Sequence, residues 1–302
     1  MDCGKILRRA GEITWQWKGL WLLGLLISLC YLIGSFVLIR IGLPNPQHAS
    51  TGELPAWFSV ATCLGLVGSL LSAIVWLIAQ GGLIAGVQHA ADGGRTSFPL
   101  AWRAGLRHFW ALFGIAFLAA SPLVVTLFLT FCATTALGLG LAVSDPAAAS
   151  QDIFRVAIPI FSAIILLTTA VVYVVFALAG RGAVLEDLGW VEAFRCGTQA
   201  FRNNLGRIVL LGLVLLALRT LVGAVTGAAV LATLLSASGS GLAEQMWNTP
   251  AWAIAITALL GLALGAVLET YASAVWTLAY RHLAGLEWTP GIPFVGGPPL
   301  RE

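Results

Sequence analysis

Charge is what this sequence has least of. Only 10% of its 302 residues are Asp, Glu, Lys or Arg, against 59% hydrophobic residues and a mean hydropathy of +0.93. That balance excludes an ordinary soluble domain and describes an integral membrane protein. It also leaves no basic tract for nucleic acid. The net charge of +3 lies in loops, where it faces anionic lipid headgroups, so no nucleic-acid partner is expected. Cysteine is sparse and scattered: Cys3, Cys30, Cys63, Cys132 and Cys196 stand singly, with no CxxC or Cys/His cluster. Neither a disulfide framework nor a zinc site is supported. His48, His89, His108 and His282 lack a second ligand at metal-binding spacing, so no metal is expected. No GxSxG, Walker A, dinucleotide-binding or HExxH pattern occurs in a usable context. The chain is read as non-enzymatic, with no cofactor.

Long apolar runs are what it does have. Six exceed the roughly 18 residues of a spanning candidate, near 19–41, 58–88, 108–138, 153–179, 207–236 and 251–280. Several are longer than a crossing needs, which implies tilt or extension beyond the bilayer. Pro122 and Pro159 fall inside spans three and four and are expected to kink them. Lys5, Arg8, Arg9 and Lys18 precede span one. Arg95, Arg103 and Arg107 follow span two, Arg181, Arg195, Arg202 and Arg207 follow span four, and Arg281 and Arg301 follow span six. Of the 16 Lys/Arg, only Arg40 and Arg155 flank the other side and Arg219 is intramembrane. The positive-inside rule then places both termini in the cytoplasm, and the expected location is a bacterial cytoplasmic (inner) membrane.

The segments before spans one, three and five resemble one another. They read Arg9-Ala10-Gly11 then Trp15, Arg103-Ala104-Gly105 then Phe109, and Arg195-Cys196-Gly197 then Phe201. Self-similarity at a fixed period indicates repeated architecture. The expected fold is all-α, six transmembrane helices arranged as three parallel-repeat hairpins. Each hairpin is preceded by a cytoplasmic amphipathic helix at the membrane interface. The repeat units cover about 1–90, 91–182 and 183–283 of a single domain spanning 1–283. A Pro/Gly-rich cytoplasmic tail, 284–302, follows. The interfacial helices read either as surface struts or as docking and lipid-sensing elements.

Two charges stand alone in apolar runs. Arg219 heads the stripe Arg219–Gly223–Gly227 in span five, and Glu269 ends the stripe Gly261–Gly265–Glu269 in span six. Counting from the helix ends at 1.5 Å per residue, Arg219 lies about 18 Å deep and Glu269 about 16 Å. Unpaired charge in lipid is costly, so an ion pair at matched depth is expected. Glycine every fourth residue predicts close backbone approach between the two spans. The pair reads either as a structural clamp or as part of a transport path. Gly82 and Gly86 form a further GxxxG pair in span two, and Asp92-Gly93-Gly94 reads as a turn. Glu186 and Asp187 sit near Arg181 and Arg195 and are expected to pair in solvent.

The run Trp15-Gln16-Trp17-Lys18-Gly19-Leu20-Trp21-Leu22-Leu23-Gly24, the segment Ser97-Phe98 with Ala101-Trp102-Arg103-Ala104-Gly105, and Leu185-Glu186-Asp187-Leu188-Gly189 with Arg202-Asn203-Asn204-Leu205-Gly206 carry a likeness. On these the chain resembles a group of uncharacterised six-helix bacterial membrane proteins, some similar to the membrane domain of glycerophosphoryl diester phosphodiesterases. The resemblance implies a fold. The phosphodiesterase chemistry of that family belongs to a separate soluble domain, and no counterpart of it is expected in these residues. The expected function is that of a scaffold or accessory in envelope, lipid or transport processes; the alternative is a small-solute or ion transporter or channel using the Arg219–Glu269 region. Expected partners are anionic lipid headgroups at the cytoplasmic face and a further membrane protein.

Overall fold

The computed structural model describes residues 3–42, 56–144, 158–235 and 250–286, and every element among them is a helix. In chain order these are α1 (Cys3–Gln16), α2 (Leu20–Gly42), α3 (Ala56–Ala91), α4 (Phe98–Arg107), α5 (Phe109–Ser144), α6 (Ile158–Leu185), α7 (Trp190–Asn203), α8 (Leu205–Leu235) and α9 (Ala251–Leu283). The long helices coincide with the apolar runs, because backbone groups in a bilayer core have no water to bond and are satisfied within a helix. Helices α3, α5, α6, α8 and α9 are long and apolar enough to cross a membrane. A sixth candidate is the pair Gly4–Gln16 and Leu20–Gly34, bent by 98° at the intervening break. The indole Nε1 of Trp21 donates to the Thr14 carbonyl across that bend at 2.9 Å. The tail beyond residue 286 lies outside the described residues.

The two prolines behave differently. Pro122 sits inside α5, which continues through it. The Thr126 hydroxyl donates to the Pro122 carbonyl at 2.8 Å. Pro159, expected to kink span four, instead falls in the first turn of α6. There its missing N–H is one that a helix leaves unsatisfied anyway, so nothing breaks.

The chain forms two compact units, residues 1–109 with 206–302, and residues 110–205. In the first, α2 packs against α3 and α9, α4 seats on α3, and α1 lies along α9. Ile13 of α1 joins Ala90 and Ala91 of α3, with Leu278 of α9 packed against them. In the second, α7 seats on α6, and Ile115 of α5 closes a core with Ala179, Ala183 and Ala193.

Candidate functional site

Helices α8 and α9 bring Arg219 and Glu269 together. The guanidinium Nη2 lies 2.7 Å from the carboxylate Oε1, with the arginine side chain 32% exposed and the glutamate 11%. A hydrogen bond between opposite charges is shorter and stronger than a neutral one. Here it offsets the cost of holding either charge away from water.

The glycine stripes do not meet as expected. Among the described residues, a Cβ at Gly223 or Gly227 would find no atom within 4 Å, and one at Gly261 only Thr226 Cγ2 at 3.9 Å. Gly265 instead faces α2, where Ser28 Oγ would lie 2.6 Å from an added Cβ. The close approach on α9 is thus to α2: Gly24 sits directly on the Ala266 carbonyl, leaving no room for a methyl group. The expected seam between spans five and six is corrected accordingly. Two long side chains bridge α8 and α9, so the pairing needs no backbone contact.

C-terminal to Glu269, α9 carries a row of polar residues, less conspicuous in the sequence than an isolated charge. Glu269, Ser273, Thr277 and Arg281 recur every fourth residue, and the first three are buried. Thr270 beside them is fully buried and donates to the Ala266 carbonyl at 2.8 Å. The row ends in a second ion pair, Arg281 Nη1 to Asp92 Oδ1 at 2.7 Å. Asp92 closes α3 just before Gly93, whose φ of 82° lies in the left-handed region that favours glycine. The His89 ring fills the space a Cβ of Gly94 would need. The signal for the row was present as polar residues at helical spacing in the last turns of span six. The Asp92 contact joins residues 189 apart and had no local signature.

Arg181 also differs from expectation. It does not sit in a solvated loop with Glu186 and Asp187. It is 4% exposed within α6 and donates through Nη1 to the Ala177 carbonyl. Glu186 and Asp187 beyond it are exposed.

The repeat-motif residues divide by position. Gly105 is buried against the Ile78 carbonyl and the Gly82 amide, and Gly197 against Ala179 of α6, whose amide nitrogen would lie 2.7 Å from an added Cβ. Gly82 thereby helps seat α4, since the Ala101 carbonyl crowds it, while Gly86 is crowded foremost by Leu20 of α2 and only touches Ala101. Gly11 is looser, its nearest neighbour being Tyr271 at 4.0 Å. Arg103 and Arg195 are exposed and Arg9 half-buried; Phe109 and Phe201 are half-buried. Trp15 is exposed and meets Trp21 edge-on at 5.7 Å.

Among the described residues, no group of three or more His, Cys, Asp or Glu is placed to hold a metal. No curated protein and no solved structure matches the chain. Residues 18–283 match a family described as Domain of unknown function (DUF7847).

Proposed function

The chain belongs to the DUF7847 family, and on that premise we propose a non-enzymatic, multi-pass membrane protein that serves as a scaffold or accessory in envelope, lipid or transport processes. The observation that carries this reading is the 2.7 Å Arg219–Glu269 pair, which joins α8 to α9 where the α8 glycines make no close contact. A single buried pair fixes the register and depth of one helix against another, which is what a rigid framework requires. The test is a charge-reversal cycle on the purified full chain. Arg219→Glu and Glu269→Arg should each lower thermal stability, and the double reversal should restore it. Neutral single variants would remove the clamp.

The finer architecture belongs to the same proposal. Three parallel repeats, with both termini in the cytoplasm of a bacterial inner membrane, account for the spacing of the Arg-Gly-aromatic motifs and for the distribution of basic residues. The seating of Gly105 on α3 and of Gly197 on α6 supports it. The exposed Arg103, Arg107, Arg195 and Arg202 suit anionic headgroups at that face, while a membrane-protein partner would use the helix faces left open. The likeness to the membrane domain of glycerophosphoryl diester phosphodiesterases rests on the sequence motifs alone.

One observation favours a second reading, solute or ion transport through the Arg219–Glu269 region. Glu269 heads a buried polar row that ends at the Asp92–Arg281 pair, and ionisable residues within spans commonly mark such paths. Flux in proteoliposomes that is lost in Glu269→Gln would support it; equal flux in both proteins would end it.

A further inference from the structure

Helix α9 and the facing part of α2 carry three buried polar atoms that find no partner among the described residues. Ser28 Oγ, Trp276 Nε1 and Thr277 Oγ1 are shielded from solvent and make no hydrogen bond among the described residues. Thr277 is the most telling of them. Threonine in a helix ordinarily bonds the carbonyl four residues back, as Thr126, Thr169, Thr226, Thr257 and Thr270 all do in this chain. Thr277, with no exposed surface, does not use the Ser273 carbonyl and holds its hydroxyl elsewhere. Ser28 departs in the same way from Ser69, Ser121 and Ser162, which bond their own helices. A buried donor or acceptor with no partner loses its hydration with nothing in return, so such groups ordinarily meet ordered water.

We propose that this seam binds a file of water molecules running from Glu269 to the Asp92–Arg281 pair. Positions four apart on a helix rise about 6 Å. That is too far for hydroxyls to bond directly, and it is the span of two hydrogen bonds of about 2.8 Å through one water. Ser273 and Thr277 stand at those steps between Glu269 and Arg281. Trp276 adds a donor beside the row, whereas Ser28, next to Gly265, lies one turn on the other side of Glu269 and outside this file. Both ends of the row are neutralised ion pairs, so the seam offers neutral water its hydrogen bonds and offers an ion no uncompensated charge. The inference deepens the transport reading, because a hydrated row gives Glu269 aqueous contact with one face of the membrane.

The experiment is water-edited solid-state NMR on the full chain in lipid bilayers, with the Thr277 signal identified by its disappearance in Thr277→Val. Polarisation from water should reach Thr277 as early as it reaches Thr96 in the α3–α4 connection. Arrival as late as at the fully buried Leu83 overturns the proposal. Hydrogen exchange of the Trp276 indole N–H in D2O, identified with Trp276→Phe, is the independent reading, and persistent protection there overturns it equally. Early water contact without Glu269-dependent flux leaves the seam standing and ends the transport reading. A dry seam ends the proposal whatever the flux assay reads.

Discussion

Helices α8 and α9 carry the same sequence device, glycine every fourth residue aligned with one charge, and use it in opposite ways. On α9 one glycine of the stripe, Gly265, lies against α2 beside Ser28, and the adjacent Ala266 is pressed onto Gly24 of α2. On α8, Gly223 and Gly227 have no neighbour among the described residues within reach of a Cβ. The C-terminal half of α9 is buried nearly throughout, whereas α8 buries only Ile208, Leu211 and Leu215 in the stretch leading up to Arg219. A small-residue stripe therefore marks a helix able to pack closely without saying which helix it packs against. The choice is made by the partner that also offers a small residue at the facing level.

Breaking the ion pair is the harshest test of that contrast, since it is the strongest bond between α8 and α9. Reversing either Arg219 or Glu269 alone should destabilise by about 3–5 kcal/mol, the scale of an uncompensated buried charge. Arg219, being a third exposed, should sit at the lower end. Thermal unfolding of the purified chain reads both. Gly24→Ala, which drives a methyl into the Ala266 carbonyl, and Gly105→Ala, which drives one into Ile78, should each cost about 1–3 kcal/mol. A neutral result at Gly24 would mean that α2 and α9 separate freely. Asp92→Asn weakens a partly exposed pair and should cost about 1 kcal/mol or less, more weakly still at high salt. Gly223→Ala and Gly227→Ala come last. With open space around both, they should change nothing or stabilise by up to about 1 kcal/mol through helix propensity. Destabilisation there would restore the seam between spans five and six.

Much of the helical layout was legible because hydrophobicity alone dictates it. The run 19–41 corresponds to α2 at Leu20–Gly42, and 251–280 to α9 at Ala251–Leu283. Arg219 and Glu269 stood out because a charge in an apolar run is conspicuous, and matched depth pointed to a pair whose atoms lie 2.7 Å apart. What escaped was whatever depended on tertiary choice. The open faces of Gly223 and Gly227, the burial of Arg181 and the Asp92–Arg281 contact are set by which helices become neighbours. The orphan hydroxyl of Thr277 depends on a rotamer, and no composition or spacing encodes one.

The packing of α1 and α2 on α9 also has a schedule. Thr270 reaches the Leu20 carbonyl across 250 residues of chain, and Tyr271 the Leu7 carbonyl across 264. A ribosome adding about 5–20 residues per second delivers α9 only about 12–50 s after α2, so α1 and α2 must wait through the synthesis of all the other helices for this contact. During that interval the Gly24 face of α2 stands uncovered, and anything in the membrane with a small residue at the right level can compete for it.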